Sequence, residues 1–252
     1  MQALETKLRD AVLRAGDQAL ALAKKGARQW LKSDGTPVTE ADLEADRILR
    51  EHLSQAPLDA GWQSEESAPQ VPEQSCFWLA DPIDGTREFA NGGQGWCVSV
   101  ALIDKGEPIL AAIYVPSSEI LFLAKAKQGA MQNDQPLRTS MQDNLESASL
   151  LGNMSLKKLF PEAEVNGLHA LALRMANIAN ANHDGLAAFG HKQDWDIAAG
   201  DLLIREAGGI STDLQGERLI FGRPGAKRSG LVAAGQNLHP QLITRTRSLS
   251  HQ

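Results

Sequence analysis

Four apolar runs follow one another at residues 76–80 (CFWLA), 96–103 (WCVSVALI), 108–115 (PILAAIYV) and 119–124 (EILFLA). Turn residues part the later ones, as in Asp104-Lys105-Gly106 and Pro116-Ser117-Ser118, and the pattern predicts a meander of antiparallel strands. Ahead of them, Leu4, Leu8, Val12, Ala15, Ala19 and Leu22 recur at steps of four and three, one stripe of an amphipathic helix. A polar break from Lys32 to Pro37 ends it. Thr39 then opens a second helix reaching about Leu53, with Asp42 three residues on as a capping-box match. Beyond Asn133-Asp134 the texture alternates: a strand at 149–151, a helix over about 168–179, an apolar piece at 186–189 and a helix opening at Asp196. Strands at 210–212 and 231–234 and a last helix from about Pro240 complete it. The expectation is an α/β (α+β) chain of two halves sharing one interface, 1–137 with the antiparallel sheet and 138–252 with the alternation.

Composition narrows the function. The 252 residues, 42% hydrophobic and 22% charged, exclude a disordered or fibrous chain. The net charge is −6 and there is no dense basic block, which argues against a duplex-binding surface and against nucleic acid as the main partner. The longest apolar run, residues 109–115, falls far short of the roughly 20 residues of a membrane helix. The N-terminus is acidic and lacks the apolar segment of a signal peptide. Two cysteines without a CxxC pattern fit a reducing compartment, so a cytoplasmic location is expected.

The most informative segment is Trp78-Leu79-Ala80-Asp81-Pro82-Ile83-Asp84-Gly85-Thr86-Arg87-Glu88-Phe89. A buried strand ending at Asp81 would present that side chain at its edge. Pro82 fixes φ and Gly85 admits conformations closed to other residues, so Asp81 and Asp84 are held three residues apart. With the Ile83 carbonyl between them the turn offers only oxygen, the donor set of hard cations such as Mg²⁺. The amides of Gly85 and Thr86, opening a helix, suit a phosphate. A plain surface turn uses the same residues. Ser64-Glu65-Glu66-Ser67 reads alone as a solvated acidic loop, and Asp42 alone as a helix cap. Asp196 opens a helix that is apolar nearly all round, and an acid at the mouth of a buried helix must find a cation, a donor or water.

In this order, SDGTPVTEADLEADRIL, SEES, WLADPIDGTREF and DWDIAAGDLLIREAGG resemble the inositol monophosphatase superfamily over about residues 32–209. These are Mg²⁺-dependent, lithium-sensitive phosphomonoesterases. The resemblance implies a layered α-β-α-β-α sandwich, commonly dimeric. It makes Glu65, Asp81, the Ile83 carbonyl, Asp84 and Asp196 ligands of two to three Mg²⁺ ions, with Mn²⁺ able to substitute. Asp42 matches an acid near the nucleophilic water, Thr86 the hydroxyl that orients or deprotonates it, and Glu66 the second acid of its pair. Gly85 and Thr86 match phosphate-binding amides, and Lys32, matching a lysine ahead of the Val-Thr motif, is a candidate substrate-binding residue. The chemistry is consistent on its own terms, because five acids in one cleft cannot stay ionised together without cations.

For the substrate, a small phosphorylated metabolite, the signals are fewer. Many relatives carry a glutamate seven residues before the Trp-Asp aspartate to accept bonds from sugar hydroxyls. Counting back from Asp196 gives Phe189, and aligning from Asp184 gives Ala188, neither of them acidic. The segment 190–194 is one residue longer than in those relatives, and His191 and Lys192 suit a second anion, or simply a solvated loop. Thr-Arg-Glu-Phe after Gly85 resembles bacterial 3′(2′),5′-bisphosphate nucleotidases, which convert adenosine 3′,5′-bisphosphate to AMP. Inositol-1-monophosphatase and histidinol-phosphate phosphatase are the alternatives, and a partner of the transcription machinery is the alternative from another class. Ser64 replaces a glycine common in relatives, which is expected to alter the loop. The tail 244–250 is expected to fray.

Overall fold

The computed structural model describes residues 1–33, 35–67, 73–223 and 228–247. Asp34 of the polar break and Ser248, Leu249 and Ser250 of the tail lie outside the described residues. The amphipathic stripe forms α1 (Gln2–Lys25), with Leu8, Val12, Ala15 and Ala19 buried. A short hairpin, β1 (Gln29–Leu31) and β2 (Pro37–Thr39), leads into α2 (Glu40–Leu53), which opens with the expected capping box between Thr39 and Asp42.

The predicted meander forms most of a seven-stranded sheet. Its strands are β3 (Gly61–Ser64), β4 (Cys76–Asp84), β5 (Cys97–Asp104), β6 (Glu107–Val115), β7 (Ile120–Lys125), β8 (Gly129–Gln132) and β9 (Gln135–Pro136). They lie in sequence order, every pair antiparallel except β3 with β4. The short helix α3 (Thr86–Ala90) interrupts the run between β4 and β5. The remainder is β10 (Ser149–Leu151), α4 (Leu156–Leu159), β11 (Glu164–Asn166), α5 (Leu171–Ala179), β12 (Gly185–Lys192), α6 (Asp194–Glu206), β13 (Gly209–Thr212), β14 (Arg228–Gly235) and α7 (His239–Arg247). Its five strands form a mixed sheet in the order β11-β10-β12-β14-β13.

An antiparallel strand with one wet face alternates apolar with polar, yet these runs are apolar throughout. Alternate residues of β5 explain this. Cys97, Ala101 and Ile103 enter a core shared with α5, α6 and the second sheet, while Val98, Val100 and Leu102 enter a separate core with α1 and α2. A third core joins the second sheet to α7. The layers are therefore α1/α2, sheet, α5/α6, sheet, α7, the expected α-β-α-β-α sandwich. Among the described residues no helix is long and apolar enough to cross a membrane.

Several details differ from expectation. β1 and β3 are too short and polar to be read as strands. The helices expected near Leu168 and at Asp196 begin at Leu171 and Asp194. The 244–247 part of the tail does not fray: it is the end of α7, with Thr246 buried and Arg247 Nε donating to the Gln215 carbonyl at 2.8 Å. Leu242 and Ile243, anchored in the third core, hold it down. Finally, β4 does not end at Asp81 but continues to Asp84, a difference that builds the site.

Candidate active site

In a regular strand, residues three apart point to opposite faces. In β4, Asp81 pairs with Ser99 and Asp84 with Cys97, so three steps on one strand match two on the other. The extra residue is a bulge, and it returns Asp84 to the face of Asp81. Pro82, which has no N–H for a ladder, falls within the unpaired stretch. Both aspartates thus face the central layer, where α5 and α6 arrive. Gly85 follows at φ 98°, and a Cβ there would come within 3.2 Å of the Gly95 oxygen and the Trp96 Cβ, so only glycine fits the turn.

A cavity of about 390 Å³ opens here, with Glu65, Asp81, the Ile83 backbone, Asp84, Thr86 and Asp196 on its acidic side. Each aspartate already accepts a backbone N–H: Asp81 from Ile83, Asp84 from Leu171 and Ala172 at the start of α5, and Asp196 from Gln193. Burial raises all four carboxyls. Asp84 is pushed up to about 7, despite the two N–H groups it accepts. Asp196 is pushed to about 8, by burial and then by the charge of Asp84. Asp81 is raised well above the usual carboxylate range by burial, then by Glu65, Asp84 and Asp196. Glu65 is raised by burial, opposed by Lys32, and it hydrogen-bonds the Asp81 carboxyl.

These residues fit a hard divalent cation. Among the described residues no three acidic, His or Cys side chains already stand as a finished metal shell. The donor chemistry carries the fit. Two buried carboxyls, Asp81 and Asp84, two half-buried ones, Glu65 and Asp196, and one carbonyl face the same space, and the acids repel one another enough to favour protons over charge unless a cation neutralises them.

Around this wall the structure places the other expected residues differently. Asp42 is buried behind Thr86 and does not line the cavity. Thr86 Oγ1 lies 3.0 Å from Asp42 Oδ1 and 3.1 Å from the Ile83 carbonyl oxygen, so one hydroxyl proton has two acceptors. Asp42 is raised by burial, opposed by the Thr39 and Thr86 donors. Lys32, expected near the substrate, instead donates to Glu66 at 2.7 Å and Glu65 at 3.3 Å and does not line the cavity. Burial lowers its proton affinity, but the two glutamates outweigh that and raise it overall. Ser64 is buried at the end of β3, where its hydroxyl donates to Asp46 and accepts from the Glu66 N–H, fixing the acid pair.

His191 and Lys192 both line the cavity. The Lys192 ammonium donates to the carbonyls of Phe189, Gly190 and His191, tying its own loop at the bulge where Gly190 adopts φ 80°. His191 contacts the Arg228 carbonyl through Nδ1 at 3.3 Å. Ala188 and Phe189 line the same cavity, and so do Arg87, His169 and Arg174, which the sequence reading missed as site residues. Arg174 left a signal, since it is the one charged residue of the helix LALRMANIA.

A cavity lined by mutually repelling carboxyls, with the cations Arg87, Arg174 and Lys192 in the same lining, defines a cation-assisted hydrolase of anionic substrates. The comparisons agree. A model of the inositol monophosphatase family matches residues 2–251, and the chain belongs to that family of metal-dependent phosphoric monoester hydrolases, generally Mg²⁺-dependent. An inositol-1-monophosphatase of Rhizobium meliloti is 35% identical over 206 residues, 74% of this chain and 75% of that protein. The Nus factor SuhB of Xylella fastidiosa is 31% identical over 192 residues, 71% of this chain and 69% of that one. The crystal structure of the extragenic suppressor protein suhB from Bartonella henselae superposes with a TM-score of 0.86 at 27% identity, covering 96% of this chain and 97% of that one.

Proposed function

We propose that this phosphatase is a 3′(2′),5′-bisphosphate nucleotidase, releasing one phosphate from a substrate that carries a second. One observation carries the reading. Ala188 and Phe189, where an inositol phosphatase would place an acid for sugar hydroxyls, are apolar, and the wall around them presents Arg174, Lys192, His169 and His191. Apolar side chains cannot accept hydroxyl protons, whereas the Arg174 and Lys192 charges are matched to a second anion.

The division of labour follows from the site. Glu65, Asp81, the Ile83 carbonyl, Asp84 and Asp196 would hold two to three Mg²⁺ ions, or Mn²⁺ in their place. Bound there, a divalent cation lowers the pKa of water and stabilises the leaving oxygen. Thr86, backed by Asp42, offers a hydroxyl to orient the attacking water. The Gly85 and Thr86 backbone faces the phosphate from the turn. Glu66 and Lys32 fix Glu65 in position. Homodimer formation and lithium inhibition are expected with this assignment, checked by light scattering and a LiCl titration.

The test is phosphate release with Mg²⁺ from adenosine 3′,5′-bisphosphate, inositol 1-phosphate and histidinol phosphate, measured side by side. The reading requires the highest kcat/KM on the nucleotide. A preference for inositol 1-phosphate, the activity named for the Rhizobium relative, would overturn it and leave the phosphatase class standing. The fold leaves room for either outcome: one staphylococcal protein of this fold, 19–21% identical, has been crystallised with inositol monophosphate and with 2′AMP.

A second reading is favoured by the name Nus factor SuhB carried by several relatives. This chain would then also serve as a partner of the transcription machinery. Recovery of a polymerase component in a metal-free pull-down supports it, and a clean pull-down removes it.

A further inference from the structure

Helix α5 contributes one charge to the cavity. Arg174 is half-buried and lines the wall near Asp84. Its guanidinium is held from below: Nε donates to the Leu168 carbonyl and Nη2 to the His169 carbonyl at 3.2 Å. These two carbonyls immediately precede the α5 turn whose N–H groups grip Asp84, so Arg174 is fixed to the same backbone as a metal-side carboxylate. Five N–H groups radiate from a guanidinium, and two are used by these carbonyls. Nη1 has no acceptor among the described residues.

The other half-buried arginines are answered within the protein. Arg205 pairs with Asp201 and Glu107, and Arg228 with Asp194 at 2.8 Å. Arg174 has no carboxylate within ion-pair distance among the described residues, and Asp84 acts on it only through space. Lys192 adds a like charge to the same wall while its own protons hold the loop carbonyls. A half-desolvated, pre-oriented fork lacking a carboxylate is costly to keep unless an anion arrives to meet it.

We infer that Arg174 is a specificity-determining residue that binds the second, non-scissile phosphate of the substrate through Nη1 and the free Nη2 proton. The assignment rests on the nucleotidase reading and adds the group that selects a bisphosphate over a monophosphate. Lys192 contributes charge at a distance, and the carbonyls of Leu168 and His169 set the angle of the fork.

The experiment pairs a change in the protein with a change in the ligand. Wild type, Arg174→Ala and Arg174→Lys are assayed with Mg²⁺ on adenosine 3′,5′-bisphosphate and on adenosine 3′-monophosphate, which lacks only the second anion. Removing a charge-assisted pair should lower kcat/KM on the bisphosphate about 10- to 100-fold more than on the monophosphate, mainly through KM. Arg174→Lys, with charge but no fork, should recover part of the loss. Product inhibition by 5′-AMP, which keeps the second anion, should weaken in parallel in Arg174→Ala. Equal losses on both substrates would overturn the assignment and place Arg174 on the scissile phosphate or in the fold. If wild type discriminates and Arg174→Ala discriminates equally well, the assignment alone fails. If wild type does not discriminate between the two substrates, the nucleotidase reading fails first.

Discussion

Helix α6 carries two desolvated aspartates, Asp201 buried and Asp196 half-buried at the cavity, that meet opposite fates. Asp196, in its first turn, faces the cavity with one backbone N–H from Gln193 and, among the described residues, no cation within ion-pair distance; burial and then the charge of Asp84 push it up to about 8, with Lys192 opposing from a distance. Asp201, five residues on, accepts from the Ser211 hydroxyl and pairs with Arg205 at 3.2 Å; burial still raises it, to about 6. Both lie in an interior that penalises charge. The difference is that the fold supplies a hydroxyl and a cation to Asp201, whereas among the described residues no cation pairs with Asp196. Burial of an acid is therefore no sign of function here, whereas burial without a partner is.

The largest expected effect breaks the comparison at its functional end. Asp84→Asn, which keeps the shape and the acceptor toward Ala172 but removes the charge, should cut kcat about 10²–10³-fold with an unchanged far-UV spectrum. Near-wild-type turnover would remove the carboxylate wall from the chemistry. Next comes the direct contrast. Asp201→Asn leaves Arg205 without its partner on α6 and should cost about 1–3 kcal/mol of stability in urea melts while the enzyme keeps its turnover. Asp196→Asn should do the reverse: turnover lost, and stability in EDTA at pH 8 equal to or above wild type, because an amide cannot ionise. If both variants lost stability alike, the two aspartates would be equivalent and the contrast false.

A pH series sharpens the same point. A carboxyl whose folded pKa lies above its unfolded value binds its proton more tightly when folded, so it stabilises at low pH and loses that contribution as pH rises through the folded value. With Asp84 near 7 and Asp196 near 8, metal-free protein should lose thermal stability between about pH 5 and pH 8. Mg²⁺ should restore it, with a larger Tm increment at pH 8 than at pH 5. Asp201, near 6, adds a loss of the same sign that Mg²⁺ does not repair. A Tm increment independent of pH would uncouple the cation from these carboxyls.

The contrast also marks what was legible in the chain. The meander and the apolar stripe of α1 were, the meander because runs such as WCVSVALI have no other use than burial on both sides. β3 was not, because GWQS becomes a strand only by pairing with β4. The acids of the site were legible as residue types at turns, but their common face was not, since a spacing of three predicts opposite faces and only the bulge against Cys97 and Ser99 reverses it. Lys192 read as a substrate donor because sequence cannot show that Gly190 turns the loop carbonyls onto its ammonium. Arg174 went unread for the converse reason, as a lone charge on a short helix is ordinarily solvated.

Asp42 stands between the two aspartates of α6 and supplies the smallest test. Its Oδ2 accepts the Thr39 N–H at 2.8 Å and the Thr39 hydroxyl at 2.6 Å, as a helix cap requires, while Oδ1 accepts from Thr86 at the edge of the cavity. One carboxylate thus has a partner set from the fold on one oxygen and a functional contact on the other. Thr39→Ala removes the hydroxyl that donates to Oδ2 and that accepts from the Ala41 N–H, leaving the Thr86 contact in place. It should cost about 1 kcal/mol of stability, the usual worth of an N-cap, and shift kcat far less than Asp84→Asn does. Thr39→Ser should restore the stability. Were Thr39→Ala to lose turnover as severely as Asp84→Asn while keeping its stability, Oδ2 would belong to the chemistry, and Asp42 would stand with Asp196 as an acid whose answer comes from outside the fold.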